Sequence, residues 1–147
     1  MYVLGVDFGG GASKATLLNK NGTVVATATT EYPTFYGEGG KAEQNPLDWY
    51  QSAVKNIREV LKGVNAEEVK CLCFDAATHT AVLMDENNTP VCNAVYWTDT
   101  RSVREKEYLA SRFGNEIFEK CKHNVDTIWS LPEILYIKNK ISLKFLI

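Results

Sequence analysis

The opening of the chain predicts three consecutive antiparallel strands, and this pattern constrains the fold more than any other feature. Residues 2–8 (YVLGVDF) are apolar and β-prone, and an extended pattern resumes at residues 12–18. The glycines of Gly9–Gly11 stand between these segments and predict a tight turn. Asn-Gly at positions 21–22 is a strong hairpin signal, and residues 23–32 (TVVATATTEY) alternate like a third strand.

The remainder of the chain predicts an α/β organisation. Asn45 is a good N-cap, Pro46 suits the first helical position, and Gly63 ends the helix. Residues 69–76 (VKCLCFDA) are continuously apolar, which is typical of a central strand covered on both faces. Within the helix that follows Asn45, apolar residues recur at spacings of three and four: Leu47, Tyr50, Val54, Ile57 and Leu61. The other predicted elements are a loop at 33–44, strands at 81–84 and 91–97 joined by a turn at 85–90, and helices at 99–113, 116–120 and 131–138.

Composition and charge exclude several classes of partner. Apolar residues make up 45% of the 147-residue chain and charged residues 23%, which is ordinary for a soluble globular protein. A formal net charge of −2 gives no electrostatic reason to expect nucleic acid or an anionic membrane as a partner. The N-terminal residues lack the pattern of a signal peptide, and no apolar stretch approaches the ~20 residues of a membrane helix. We therefore expect a cytoplasmic protein.

Four cysteines are spaced in a way that does not indicate a metal site. Cys71, Cys73, Cys92 and Cys121 include no C-x-x-C pair. Cys71 and Cys73 are two residues apart in an apolar run, so both should point to one face of a strand. We expect small buried thiols in a reducing compartment, with a metal or redox role as the alternative.

The first candidate site is the glycine turn and the residues that flank it. Gly9, Gly10 and Gly11 allow phosphate oxygens to approach backbone N–H groups closely. Asp7, at the end of the preceding strand, could hold Mg²⁺ through water, and Lys14 adds a positive charge. The alternative is a plain Gly-rich β-turn. It is not a Walker loop, because no helix with G-K-[ST] follows.

The second and third candidates follow predicted strands. Thr78 and His79 come after the carboxyl end of strand 69–76, where ligands of α/β sheets tend to bind, and His79 could hydrogen-bond a sugar hydroxyl. Trp97, Asp99 and Arg101 offer a flat apolar face, an acceptor and a cation. The alternatives are a half-buried histidine with a local partner, and an Asp99 N-cap with a salt-bridging arginine. His123 and Trp129 indicate nothing beyond surface or core roles.

Taken together, these segments resemble the FGGY family of carbohydrate kinases, especially its xylulokinase-like members. The resemblance runs from residue 2 to about residue 138 and rests on several motifs in the right order. The matching segments are Val6–Ala15 (the first phosphate motif), Glu43–Trp49 (E-Q-[DN]-P-x-x-W), Thr78–Asp85 (the M-H-G segment and its strand), Ala94–Arg101 (A-I-x-W-x-D-x-R) and Leu131–Leu135 (L-P-K-L-L).

The resemblance implies an α/β, actin-like ATPase fold of two ribonuclease-H-like domains, with ATP-Mg²⁺ and sugar in the cleft between them. The family transfers the γ-phosphoryl of ATP to a sugar or polyol, here expected to be a ketopentose such as xylulose. Asp7 would organise Mg²⁺, and the turn from Gly9 to Lys14 would face the phosphates. The sugar-binding residues carried over by the resemblance are Thr78, His79, Asp99 and Arg101.

Two departures and the chain length qualify the resemblance. Gly10 and Gly11 stand where many members have hydroxyl residues, and Thr78 and Thr80 flank His79 where the family has Met and Gly. Family members are much longer, and their catalytic Asp and adenine site belong to a second domain with no counterpart here. We expect residues 1–147 to be a partial N-terminal domain without its last strand, inactive alone, with an exposed edge that invites a homodimer.

Residues 139–147 alternate apolar and polar residues like a strand, so they could serve as a substitute for the missing one. Two other functions remain open. One is a non-catalytic actin-like module that binds nucleotide or sugar. The other is the activator ATPase of acyl-CoA dehydratases, which begins with a similar hairpin and carries cysteines for an iron–sulfur cluster. Nothing in that second class explains residues 97–101.

Overall fold

The computed structural model describes residues 1–140, and the chain divides into two compact units. Unit 1 comprises Met1–Pro33 and Asn45–Ala77, and unit 2 comprises Thr34–Gln44 and the chain from Thr78 onward. The strand suggested for residues 139–147 falls largely outside the described residues. The elements are β1 (Tyr2–Phe8), β2 (Ala12–Asn19), β3 (Val24–Glu31), β4 (Phe35–Gly37), β5 (Lys41–Gln44), α1 (Pro46–Val60), β6 (Val69–Ala76), β7 (Ala94–Val95), α2 (Val103–Cys121) and α3 (Ser130–Lys140).

Unit 1 is built on a four-stranded mixed sheet in the order β3-β2-β1-β6. β1 pairs with β2 and β2 with β3 in antiparallel fashion, which confirms the three predicted strands, and β6 joins β1 in parallel. One sheet face carries the apolar core, which α1 covers. Its buried members are Leu4, Val6, Ala15, Leu17, Ala53 and Val60.

Helix α1 forms where the capping pattern predicts it, and the face that it buries is partly polar. The Asn45 Oδ1 atom accepts from the Leu47 N–H at 3.1 Å, and Pro46 occupies the first turn. Of its regularly spaced apolar residues, Leu47 and Tyr50 are exposed, whereas Ile57 and Leu61 pack against the core. The helix residues that are buried are Ser52, Ala53, Asn56 and Val60.

A hydrogen-bonded network explains this polar face. The Asn56 amide donates to the Ser13 carbonyl and hydroxyl at 2.9 Å each and accepts from the Thr30 hydroxyl at 2.7 Å. The Ser13 hydroxyl donates to that of Ser52 at 2.7 Å. Each hydrogen bond adds only a little to the free energy of unfolding, but a polar group left buried without its partner lowers that free energy by about 1–3 kcal/mol. Apolar periodicity cannot detect a helix face that is satisfied in this way.

Strand β6 does not have the covered position that its composition predicts. It lies at one edge of the sheet in the described part of the chain, and Leu72 and Phe74 are 47% and 63% exposed. The expectation of buried thiols is wrong as well, because Cys71 and Cys73 are exposed. Their predicted common face is confirmed, since the two Sγ atoms lie 3.4 Å apart. Burial of a strand depends on what packs against it and not on its own residues.

Unit 2 contains a small antiparallel sheet in the order β4-β5-β7. The loop predicted at 33–44 is wrong, because this segment forms β4, one 3₁₀ turn and β5. The strands predicted at 81–84 and 91–97 are too long. The structure has in their place the two-residue strand β7 and two isolated bridges, Ala81–Val95 and Met84–Pro90. The turn between them is confirmed, with the Asp85 N–H donating to the Thr89 carbonyl at 2.9 Å.

The helices of unit 2 are fewer and longer than the sequence predicts. α2 runs through Gly114 to Cys121, so the two helices predicted at 99–113 and 116–120 are one. It ends at Lys122, whose φ of 59° gives a left-handed C-cap. α3 confirms the last predicted helix, with Pro132 in its first turn. No helix within residues 1–140 is both long and apolar enough to cross a membrane.

Candidate functional site

The glycine turn of unit 1 closes a tight hairpin. The Gly9 N–H donates to the Ala12 carbonyl at 3.0 Å, and the Tyr32 N–H donates to the Gly11 carbonyl at 3.0 Å. The Tyr32 hydroxyl donates to the Gly9 carbonyl at 2.5 Å, so the end of β3 braces the turn. Gly10 and Gly11 remain exposed, and a Cβ atom at Gly11 would meet nothing within 4 Å. The turn is therefore both fixed and open to a ligand.

The charged residues beside the turn share one face of the sheet. Asp7 stands opposite Lys14 on β2 and opposite Asp75 on β6. Asp7 and Lys14 are exposed, and neither forms an ion pair with any residue between 1 and 140. They border a cavity of about 270 Å³ lined by Gly5, Val6, Asp7, Lys14, Thr16, Cys73, Phe74 and Asp75.

This donor set fits a magnesium ion that arrives with phosphates. In the described chain no group of three or more His, Cys, Asp or Glu side chains could hold a metal alone. Mg²⁺ keeps several waters and needs only one or two carboxylates beside substrate phosphates, and Asp7 and Asp75 can supply these. One oxygen of Asp75 is already used, because its Oδ1 atom accepts from the Ala76 N–H at 2.9 Å. That bond gives Asp75 a local structural role as well.

The segment after β6 places His79 among aromatic rings. His79 has a φ of 56°, and its ring meets the Trp129 indole edge-on at 4.4 Å between centroids. The His123 ring stacks on the Trp129 ring, with 3.9 Å between the ring centroids and 21° between the ring planes. Thr78 is exposed. Sequence reasoning set His123 and Trp129 aside, and no local signal links residues so distant along the chain to His79.

The tryptophan of the third motif lies near this segment. An isolated antiparallel bridge pairs Ala81, two residues after His79, with Val95, two residues before Trp97. Tyr96 is buried, whereas Trp97 is 42% exposed and can offer an apolar ring face to a ligand. Two of the three sequence motifs therefore lie in unit 2, on segments joined by this bridge.

Asp99 and Arg101 form the most densely bonded polar group of unit 2. Asp99 is 1% exposed, and its Oδ2 atom accepts from the Ala42 N–H at 2.8 Å. Its Oδ1 atom accepts from the Arg101 N–H at 2.9 Å, and the Arg101 Nε–H reaches both carboxylate oxygens. The salt-bridging arginine that the sequence allowed is present, but the N-cap role is not, because α2 begins after Ser102.

Glu43 completes this group. Arg101 Nη2 donates to Glu43 Oε1 at 2.7 Å, and Lys41 Nζ lies 3.1 Å from Glu43 Oε2. Partial burial opposes ionisation of Glu43, but the hydrogen bonds from Arg101 and Lys41 outweigh it and lower its pKa. Burial likewise disfavours the charged Arg101, yet its bonds to Asp99 and Glu43 raise its pKa. Contact of Asp99 and Arg101 with a sugar stays a prediction.

Glu133 was missed by the sequence reasoning. Its side chain is fully buried in the first turn of α3, and neither oxygen has a hydrogen bond of acceptable geometry within the described residues. Burial, followed by the charge of Asp99, raises its pKa from the ordinary 4.5 to about 8, with the Ala81 N–H opposing weakly. The carboxyl group is therefore largely neutral at pH 7. The only sign of this residue in the sequence is its acidic side chain within the otherwise apolar motif Leu131–Leu135.

The chain is similar in sequence to known carbohydrate kinases over nearly its whole length. Residues 2–145 match the model of the N-terminal domain of the FGGY family of carbohydrate kinases. A xylulose kinase of Bacillus subtilis is 32% identical over 139 residues, which are 93% of this chain and 28% of that protein. A gluconokinase of the same organism is 27% identical over 140 residues, which are 95% of this chain and 27% of that protein.

The fold agrees with solved structures of this type. A Plasmodium falciparum glycerol kinase solved with ADP superposes with a TM-score of 0.88 and 19% identity, over 97% of this chain and 30% of that one. The architecture is thus the actin-like ATPase fold, which confirms the predicted class. The chain spans less than a third of the length of these proteins.

Proposed function

Because the chain belongs to the FGGY family of carbohydrate kinases, we propose that it is the N-terminal, sugar-binding part of a kinase. The reaction is transfer of the ATP γ-phosphoryl group to a hydroxyl of a ketopentose such as xylulose. The observation that carries the proposal is the open glycine turn between Asp7 and Lys14, within a chain of this family. Xylulose is favoured over gluconate by the higher identity to the xylulose kinase, 32% against 27%.

Unit 1 supplies the phosphate-facing groups. The backbone N–H groups of the Gly9–Gly11 turn can receive phosphate oxygens, and Lys14 adds a point charge. Asp7 is proposed to hold Mg²⁺ through water. When bound, Mg²⁺ would neutralise phosphate charge, which is the main demand of phosphoryl transfer. The residues of the chain position the phosphates and do not take part in covalent chemistry.

Unit 2 supplies the sugar-facing groups. Thr78 and His79 offer a hydroxyl and an imidazole, both of which donate and accept hydrogen bonds. Trp97 presents an exposed ring to the apolar face of a sugar. Asp99 and Arg101 are proposed to complete the pocket. Since their described bonds lie within unit 2, their main effect would be to hold the shape of the Trp97 turn.

We propose that residues 1–147 form a partial ribonuclease-H-like domain and that a second, ATP-binding domain and the catalytic Asp lie outside them. An acceptor hydroxyl still requires its general base. Residues 1–147 alone should therefore bind ligands without turnover. The alternative is a non-catalytic binding module. It is considered because the chain spans 28% of the length of the xylulose kinase.

Ligand binding to the 147-residue chain can be measured by amide chemical shifts during titration with Mg²⁺-pyrophosphate and with xylulose. We expect pyrophosphate to shift Gly9–Lys14 and xylulose to shift the residues around His79. Lys14→Gln should weaken pyrophosphate binding about tenfold, because one charge-assisted contact is worth about 1.5 kcal/mol. Lys20→Gln, at the other end of the hairpin, is the matched control and should bind like the parent.

A coupled ATPase assay with a panel of pentuloses completes the test. No sugar-dependent turnover is expected. Clear turnover would refute the proposed inactivity of the chain alone and support the kinase assignment. Pyrophosphate shifts that spare residues 9–14 would refute the phosphate site itself.

We also propose a cytoplasmic protein that can form a homodimer through β6. In residues 1–140 no strand pairs with the outer edge of β6, and Leu72 and Phe74 are exposed there. Sedimentation equilibrium should show concentration-dependent dimers, and Phe74→Lys should abolish them. A monomer at every concentration would rule out this interface.

A further inference from the structure

Two thiols on one face of β6 lie in contact with each other. The Sγ atoms of Cys71 and Cys73 are 3.4 Å apart, and both side chains are exposed within the described residues. Their partners on β1 are Val3 and Gly5, so the pair stands on the sheet face opposite Leu4 and the apolar core. The functions proposed for units 1 and 2 make no use of this pair.

The position of the pair along an extended strand favours a bridging atom over a disulfide bond. Residues two apart in a strand are separated by about 6.6 Å, and their Cβ atoms point in the same direction. A disulfide needs Cβ atoms only about 3.5–4.5 Å apart, so β6 would have to buckle to form one. An atom placed between the two sulfurs removes this conflict, because the sulfurs then need not approach each other further.

The distance between the two sulfurs matches that of a chelate. A metal–thiolate bond such as Zn–S is about 2.3 Å long, and two such bonds at an angle of about 100° hold their sulfurs about 3.5 Å apart. The Sγ atoms of Cys71 and Cys73 already lie close to that separation, at 3.4 Å. A ligand that bonds to both thiols therefore meets a pair that the strand has preorganised.

The number of ligands that the protein offers selects the chemical class. A zinc ion takes three or four protein ligands, and within residues 1–140 no group of three or more His, Cys, Asp or Glu side chains could hold a metal. A monosubstituted trivalent arsenical has two exchangeable positions on arsenic, and two thiols fill both. Arsenic(III) is also soft, which favours sulfur over oxygen ligands.

We propose that Cys71 and Cys73 form a dithiol site for trivalent arsenicals. An organic arsenoxide, R–As=O, condenses with the two thiols to give a cyclic adduct in which arsenic bridges the sulfurs. Two As–S bonds form, while the arsenic–oxygen bond and the two S–H bonds break. The oxygen leaves as water with both thiol protons. The oxidation state of arsenic does not change, so the reaction needs no oxidant or reductant.

The protonation of the pair favours a reagent that engages both thiols. The hydrogen bond between the thiols, followed by the charge of Cys73, raises the pKa of the Cys71 thiol above its ordinary value. Since the thiolate is the nucleophile, reagents that attack a single thiol should react slowly with Cys71 at neutral pH. The arsenoxide condensation consumes two neutral thiols and releases no net proton. A raised pKa therefore does not weaken the final adduct.

Titration of the reduced 147-residue chain with phenylarsine oxide tests the proposal, with free thiols counted by a chromogenic disulfide and adducts counted by intact mass. We expect one arsenical per chain and the loss of two of the four thiols. Cys71→Ser and Cys73→Ser should each weaken binding about 100-fold, because the second bond is no longer intramolecular. Cys121→Ser removes an exposed thiol on α2 and leaves the pair intact, so this matched control should bind like the parent.

Two further arms keep the test decisive. The chain unfolded in urea should bind at least several-fold more weakly, because its two thiols are no longer held together by β6. If the serine variants do not fold, tandem mass spectrometry of the parent adduct should locate arsenic on Cys71 and Cys73. An adduct on Cys92 or Cys121 would overturn the proposal. So would the absence of binding, equal affinity of the folded and unfolded chains, or full affinity in either Cys71→Ser or Cys73→Ser.

Discussion

Asp99→Ala is expected to destabilise the chain by about 3–5 kcal/mol, the cost of breaking one partner from a buried ion pair. The substitution leaves the Ala42 N–H without its acceptor at 2.8 Å and removes the carboxylate that Arg101 Nε contacts. Of its two carboxylate partners Arg101 would retain Glu43, and the turn between β7 and α2 would lose the carboxylate that holds it together. Urea unfolding monitored by tryptophan fluorescence measures the effect, because Trp97 adjoins this turn.

Asp126→Ala is the control for that experiment. Asp126 is about half exposed, and its side chain accepts two local bonds, from the Thr127 N–H and hydroxyl, together with a long ion pair to Lys106. Its removal should cost about 1 kcal/mol or less. If Asp99→Ala unfolds at the same urea concentration as the parent and loses only sugar binding, its proposed structural role is wrong. Asp99 would then be a substrate contact, as the family resemblance implies.

Glu133→Gln is expected to flatten the dependence of the free energy of unfolding on pH, with its largest effect at alkaline pH. The pKa of Glu133 in the folded chain is about 8, above the 4.5 expected when it is unfolded. The unfolded chain therefore loses this proton first, and the free energy of unfolding falls as pH rises from about 4.5 to about 8. Above pH 8 the loss is complete, and it amounts to about 2–5 kcal/mol.

Urea unfolding at pH 5, 7 and 9 measures this slope. Glutamine keeps the shape of the side chain and cannot ionise, so Glu133→Gln should gain most over the parent at pH 9 and little at pH 5. Glu107→Gln, which changes an exposed glutamate on α2, should follow the parent at every pH. Parallel pH profiles for the parent and Glu133→Gln would show that the carboxyl group ionises normally and that its burial does not perturb it.

The parts of the fold that the sequence predicts are those governed by local chemistry. The Gly9–Gly11 turn, the Asn45 cap and Pro132 in the first turn of α3 act through backbone conformation within a few residues. All three elements are confirmed. Gly114 fails as a helix terminator because its cost in a helix interior is only about 1 kcal/mol, which packing of α2 against α3 can outweigh.

The parts that the sequence does not predict depend on contacts between distant residues. β6 is apolar, but its exposure follows from its edge position and not from its composition. Ser52 and Asn56 face inward because Ser13 and Thr30 meet them with hydrogen bonds. No pattern along α1 encodes that match.

The candidate site also combines features that the local sequence predicts with features that depend on distant residues. Asp7 and Lys14 could be paired from the sequence, because a hairpin with a known turn fixes which residues stand opposite each other. The stack of His79, Trp129 and His123 could not, since it joins segments about 45 residues apart. Glu133 beside Asp99 is a similar long-range encounter.

The Asn56 network also has a mechanical consequence. Apolar contacts tolerate sliding of a helix over a sheet, whereas hydrogen bonds of 2.7–2.9 Å tolerate only a few tenths of an ångström. The Asn56 amide donates to both the carbonyl and the hydroxyl of Ser13, the residue immediately before Lys14. Helix α1 therefore fixes the position of the β1–β2 hairpin relative to itself. Its polar face fixes the position of the Gly9–Gly11 turn, the proposed phosphate site, more tightly than an apolar face could.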